Sequence, residues 1–139
     1  MSILVNDTGF QADDWTHDIT PLADLAANDA GPVVAVDLDS AADPSELEGR
    51  LGDIDLIRID FPSFADGRGF TIARRLRLMG FDGRLRAKGH VIADQYAMAR
   101  RSGFDEVEID AELARRQPEH QWLRRADWAA HDYQSRLRA

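Results

Sequence analysis

The apolar positions fall in short runs whose spacing changes along the chain. Ile3-Leu4-Val5-Asn6 is extended in character, Asp7-Thr8-Gly9 is a turn signal, and a second extended run follows near Trp15. Residues 1–19 therefore read as a β-hairpin. Thr20-Pro21 offers an N-cap and a proline for the first helical position, with Leu22, Leu25 and Ala26 on one face of a short helix. After Gly31-Pro32, Val33-Val34-Ala35-Val36-Asp37-Leu38 reads as a buried strand, and Asp43-Pro44 caps a short helix through Leu51. A second strand covers residues 55–61. The loop Pro62 to Gly69 leads into a helix over 70–79, with Ile72, Ala73, Leu76 and Met79 facing in, Arg74, Arg75 and Arg77 turned outward, and Gly80 ending it. A third strand covers 84–88. Gly89-His90 then opens a helix with an inner stripe of Ile92, Tyr96 and Ala99, ending at Gly103. The fourth strand covers 105–109, its alternation placing Val107 and Ile109 inward and the acids outward, as at a sheet edge.

Strands separated by short helices imply right-handed βαβ crossovers and an α/β fold. The expected core is a four-stranded parallel β/α sheet, arranged as half of a (β/α) barrel or as a small doubly wound sheet, with the hairpin beside it. One domain spans 1–139, with its core at about 31–117 and a helical tail at 118–139. In the tail, Trp122, Leu123, Trp128 and Tyr133 are placed to pack back on the domain or onto a partner. The open edge of a half-barrel would suit a dimer.

Composition narrows the function. At 139 residues, 44% hydrophobic and 30% charged, the chain is of ordinary globular type. It contains no Cys, which excludes disulfides, thiolate metal sites, Cys-ligated clusters and thiol redox cycling. No basic n-region precedes the first apolar run and no stretch approaches 18 apolar residues, so the expectation is a cytoplasmic protein with no membrane partner. The net charge of −8 is unevenly spread. Residues 1–66 hold 15 acids against two arginines, and residues 67–139 hold 10 acids against 15 basic residues. Overall acidity argues against nucleic acid, while the basic half could meet an anion or an acidic partner.

Ligands of parallel α/β sheets gather at the carboxyl ends of the strands. That edge collects Asp37 and Asp39, the loop Asp60 to Gly69, then Lys88-Gly89-His90, then Asp110. In the loop, Gly67 and Gly69 bracket Arg68 before a helix, so backbone N–H groups and a guanidinium converge on a candidate anion site, with Asp66 as the helix cap in the plainer reading. A second expected helix start at Lys88-Gly89-His90 would add to it. Arg86, inside the third strand, reads as partly buried and paired with a carboxylate such as Asp60 or Asp94. Asp94-Gln95 suits a first helical turn, or contact with a ligand near His90. His17, His120 and His131 lie in peripheral segments. Asp37, Asp39 and Asp60 could share a metal, but without any His-x-x-x-His or Glu/His cluster no metal site is assigned. No dinucleotide fingerprint, Walker loop or nucleophile elbow is present.

The centre of the chain resembles a known family. Phe61-Pro62-Ser63-Phe64-Ala65-Asp66-Gly67-Arg68-Gly69-Phe70-Thr71, followed by Ala73-Arg74 and Leu76-Arg77, looks like its first motif. Gly83-Arg84-Leu85-Arg86-Ala87-Lys88-Gly89-His90-Val91, followed by Asp94-Gln95, looks like its second, and Met98, Arg100, Gly103 and Phe104 continue it. The family is a bacterial, uncharacterised one named for an oxidoreductase role in sulfite reduction, its genes lying beside those of assimilatory sulfate and sulfite reduction. The resemblance covers roughly residues 55–110. It implies that Asp66, Gly67, Arg68, Gly69, Arg86, Gly89, Asp94 and Gln95 are motif residues, here taken as the candidate ligand-binding set. Three functions follow as expectations. The first is an accessory protein that binds sulfite reductase or another sulfur-assimilation enzyme. The second is an enzyme or sensor that binds a small oxyanion or a nucleotide through the Asp66–Arg68 loop. The third is an oxidoreductase, which in a chain without Cys would need a flavin or nicotinamide; no cofactor is assigned.

Overall fold

The computed structural model describes residues 2–27 and 35–128. Seven strands form one sheet: β1 (Ser2–Asn6), β2 (Gly9–Ala12), β3 (Thr20–Pro21), β4 (Ala35–Leu38), β5 (Leu56–Phe61), β6 (Arg84–Gly89) and β7 (Glu106–Asp110). Their spatial order is β2-β1-β7-β6-β5-β4-β3. Strands β3 to β7 are parallel neighbours, and β1 pairs antiparallel with both β7 and β2. The helices are α1 (Arg68–Leu78), α2 (Tyr96–Ser102), α3 (Ala111–Arg116) and α4 (Glu119–Leu123), joined by 3-10 turns at Leu22–Ala27, Pro44–Leu47, Leu51–Asp53 and Ala93–Gln95.

The sheet is thus mixed and seven-stranded, where the sequence pattern led to four parallel strands. Its parallel part, β3 to β7, runs in sequence order with no reversal. Successive right-handed crossovers then lay the connecting helices on a single face. That face is apolar by register. Leu38, Ile59, Ala87, Val107 and Val5 are side-by-side partners across β4, β5, β6, β7 and β1, and all are buried. Leu47, Ile72, Ala73, Leu76, Tyr96, Ala99, Leu113 and Trp122 pack against that row in one continuous core.

The opposite face carries the alternate residues of the same strands. One row reads Asp37, Arg58, Arg86, Glu106 across β4 to β7, and the next reads Asp60, Lys88, Glu108 across β5 to β7. Sequence alternation alone made β7 an edge strand with solvated acids. In the structure β1 covers that edge, and Glu106 and Glu108 are 8% and 4% exposed. They can be buried because guanidinium groups from β5 and β6 reach them, and buried charges require such partners.

Other local expectations shift for identifiable reasons. The second hairpin strand is Gly9–Ala12 and ends before Trp15. Thr20–Pro21 pairs with β4 as a strand rather than starting a helix. The expected helix at Gly89-His90 starts later: β6 continues to Gly89, His90 N–H donates to the Phe61 carbonyl at 3.0 Å, and α2 opens at Tyr96. Arg77, read as outward-facing, instead donates to the carbonyls of Gly103, Phe81 and Gly83 and to Asp105, joining the end of α1 to the turn before β7. The expected strand residues Val33 and Val34, and Tyr133 and His131 in the tail, lie outside the described residues.

Asp7 ties the hairpin turn to the rest of the domain. It accepts from Tyr96 Oη at 2.5 Å, from Arg100 Nε and Nη2 at 3.2 and 3.0 Å, and from Trp128 Nε1 at 3.2 Å. Burial alone would raise its pKa, but these hydrogen bonds outweigh it and hold the carboxyl below the ordinary aspartate value. A depressed carboxylate stabilises the fold above its unfolded pKa, and that contribution is lost as pH falls through the folded value. Asp7→Asn is expected to lower stability at neutral pH and to flatten its decline below about pH 4, which urea melts across that range would show.

Gly69 marks the closest approach of α1 to the sheet. A Cβ there would sit 2.4 Å from Phe61 Cζ, on a ring that is 2% exposed and packed against Phe70 and Phe104. Helix propensity favours Ala over Gly by up to about 1 kcal/mol, but overpacking a fixed ring costs about 1–3 kcal/mol. Gly69→Ala is therefore expected to destabilise the protein by about 1–2 kcal/mol, measured by denaturant titration.

Candidate functional site

The carboxyl ends of the parallel strands border an open cleft of about 880 Å³. Asp37, Asp39, Asp43, Glu46 and Asp60 line it, against Arg50 and Lys88, with Pro21 and Leu22 on one wall. The cleft lies at the strand edge where ligands of this architecture gather, and its balance is acidic. Among the described residues, no group of three His, Asp or Glu is placed to hold a metal ion.

The Asp66–Arg68 loop closes on itself. Arg68 donates from Nε to Asp66 Oδ1 at 3.0 Å and from Nη2 to Asp66 Oδ2 at 2.7 Å, and Nη2 also donates to Ser40 Oγ at 2.8 Å. The Arg68 backbone N–H reaches Asp66 Oδ1 at 3.1 Å. These bonds hold the Asp66 carboxyl well below the usual carboxylate range. Gly67 precedes α1, and Gly69 makes the close approach to Phe61. Gly89, at φ +110°, ends β6 with its Cα side 2.8 Å from the Phe61 carbonyl for any added Cβ, so both conformation and space require glycine there.

The remaining motif residues go elsewhere. Asp94 accepts from Arg125 Nη2 at 3.0 Å on the surface. Gln95 accepts from the Ile92 N–H at 3.0 Å and donates to the Phe64 carbonyl at 3.0 Å, holding the Pro62–Gly67 loop against the turn before α2. Arg68, Arg86 and Asp94 thus bond to three separate sets of partners and do not converge. Lys88 faces the cleft from β6, and His90 packs edge-on against Phe64 at 5.1 Å between ring centroids. Neither stands at a helix start. Asp110, on the same strand edge, caps α3 by accepting from the Leu113 N–H at 2.8 Å.

Arg86 belongs to the charged face of the sheet. It is fully buried, and its partners are not Asp60 or Asp94: Nε donates to Glu106 at 2.5 Å, and Nη1 donates to Glu108 at 2.8 Å and to Asp13 at 3.3 Å. Arg84 joins the same Glu106 at 2.7 and 2.9 Å and reaches Asp14 at 2.9 Å. Arg58 holds Asp37 through two bonds of 2.6 and 2.8 Å and touches Glu108 at 3.2 Å; the Asp37 hydrogen bond, partly offset by burial, raises the Arg58 pKa. This network of Asp13, Asp14, Asp37, Arg58, Arg84, Glu106 and Glu108 around Arg86 was missed residue by residue. Its signal lay in the strands themselves. Arg58 and Asp60, Arg84, Arg86 and Lys88, and Glu106 and Glu108 recur at period two in successive strands, which places them on one face.

A family model described as that of a bacterial protein of unknown function (DUF934) matches residues 35–139, well over half of the chain. No curated protein and no solved structure matches significantly.

Proposed function

The chain belongs to DUF934, a bacterial family of unknown function, and from that premise we propose that it is an accessory protein of assimilatory sulfite reduction, acting in the cytoplasm by binding an enzyme of the pathway. The observation that carries the binding half of this reading is the charge of the cleft. Five carboxylates line it against two cations; Arg58 holds Asp37 and Arg75 holds Asp43 from outside the cleft, which leaves Asp39, Glu46 and Asp60 facing Arg50 and Lys88. An acidic cleft on the acidic half of the chain suits the basic surface of a partner, whose encounter it would steer. The pathway half rests on the resemblance of the two central motifs.

A deletion strain is expected to grow on sulfide but not on sulfate or sulfite. The wild-type protein is expected to retain sulfite reductase in a pull-down that weakens as salt rises. Glu46 and Asp60 line the cleft without hydrogen-bond partners among the described residues, so E46K/D60K is expected to keep the fold and lose both complementation and retention. Equal growth on all three sulfur sources would overturn the reading.

A second reading is kept by one observation. The Arg68 side chain is 61% exposed, and among the described residues its hydrogen bonds are made by Nε and Nη2 and none by Nη1. A small oxyanion or nucleotide phosphate could therefore reach it while Asp66 stays in place. Under this reading Arg68→Ala abolishes ligand binding with the fold intact; if Arg68 only holds the loop, the same change lowers the melting temperature instead.

A further inference from the structure

Arg86 is 0% exposed, yet among the described residues its Nη2 has no hydrogen-bond acceptor, and the indole Nε1 of Trp15 is likewise buried without one. A buried donor left unpaired keeps the full cost of its lost hydration, and such donors are normally met by an ordered water or a bound group. The two belong to elements that meet where Asp13 and Asp14 approach Arg86. Arg86 stands on the charged face of the sheet. Trp15 follows Asp13 and Asp14 in the segment between β2 and β3, whose acids rest on that face.

The two sides hold Arg86 unequally. The sheet grips it at 2.5 Å from Glu106 and 2.8 Å from Glu108. The strap touches it at 3.3 Å through Asp13, and Asp14 Oδ1 stands 3.9 Å from Nη2 without bonding it. The Asp13 and Asp14 side chains are 31% and 66% exposed, so they are the yielding partners. Beside these two carboxylates stand the free edge of the Arg86 guanidinium and the Arg84 guanidinium, which lies over the adjacent Trp15 ring at 5.8 Å from the centroid. Planar guanidinium edges with a further N–H donor match the oxygens of a small oxyanion.

We propose that Arg86, Arg84 and Trp15 form a binding site for a small oxyanion of the sulfate or phosphate type, and that the side-chain carboxylates of Asp13 and Asp14 occupy it in cis and are displaced by the ligand. Charge explains why displacement is required. With these carboxylates in place, Asp13, Asp14, Asp37, Glu106 and Glu108 face Arg58, Arg84 and Arg86, and a further anion is repelled. With the two side chains swung out, three carboxylates face three guanidiniums, and the free edge of Arg86 is open. The site is separate from the Asp66–Arg68 loop and does not depend on docking at the cleft.

The test is calorimetric titration of the full chain with sodium sulfate, ionic strength held constant with sodium chloride. D13N/D14N is expected to bind sulfate at least about tenfold more tightly than the wild type, and adding W15F is expected to weaken it again. D53N/D55N, which removes the same charge away from this face, is expected to match the wild type. In the wild-type protein, the Trp15 indole N–H resonance is expected to move with sulfate and not with chloride. The proposal is overturned if D13N/D14N gains nothing, if D53N/D55N gains as much, or if that resonance does not respond. Any of these would leave the two donors to an internal water.

Discussion

Arg86→Met is expected to lower the unfolding free energy by about 3–5 kcal/mol, as seen when one member of a buried ion pair is removed. The side chain is fully buried, and two of its partners, Glu106 and Glu108, are themselves 8% and 4% exposed. Losing the guanidinium does not simply subtract two hydrogen bonds. It strands carboxylates that have left water, and their desolvation is then only partly met by Arg84 and Arg58. Two comparisons separate this cause from lost packing volume. Arg86→Lys keeps the charge, but one ammonium cannot span acceptors held by Nε and Nη1, so it is expected to recover only part of the loss. R86M/E106Q is expected to be more stable than R86M alone, because it removes a stranded charge. Denaturant titration of the four proteins decides the matter. A loss under about 1 kcal/mol for R86M would mean that the face hydrates freely.

The second large effect is expected at Trp122. This ring is 1% exposed, meets Tyr96 edge-on at 6.1 Å between centroids, and donates its indole N–H to the Gln117 carbonyl at 2.9 Å. Gln117 in turn accepts the Ala93 N–H at 2.6 Å through its side chain, so the α3–α4 corner and the turn before α2 are held together. Trp122→Ala should cost about 3–5 kcal/mol, the range for emptying a buried aromatic site. Trp122→Phe should cost less, retaining most of the packing while leaving the Gln117 carbonyl without its donor. Thermal unfolding would measure both. The ring's burial also answers a question the sequence left open: this part of the tail packs on its own domain and not on a partner.

The cores of the elements were legible because each is a local pattern. Apolar alternation placed β5 and β6 within a residue of their observed limits, and the Ile72, Ala73, Leu76 stripe gave the buried side of α1. Gly103 was read as a helix end, and it is the left-handed cap of α2 at φ +115°. Other features depended on partners distant in sequence. The β1 strand sits beside β7 through pairs such as Leu4 with Glu108, more than a hundred residues apart, and nothing local announces that contact. Without it β7 looks like an edge, and its acids look solvated.

The same division runs through the candidate site. The motif residues were legible as a set, but not their division of labour. Asp66 and Arg68 are two residues apart and bind each other, a pairing that short range makes accessible to inspection. Arg86 finds its partners 20 and 22 residues away on the adjoining strand, and only the parallel register brings them level. What the sequence by itself determined is therefore the kinds of the central elements from β4 to β7, the apolar face of each, and the exclusion of thiol chemistry in a chain without Cys. What only the tertiary structure decided is the mixed sheet, the burial of charge on its far face, and the separation of Arg68, Arg86 and Asp94. The physical reason is one of range. Periodicity and turn chemistry act within a few residues, whereas the partner that makes a buried charge tolerable is set by strand register, which is a property of the assembled sheet.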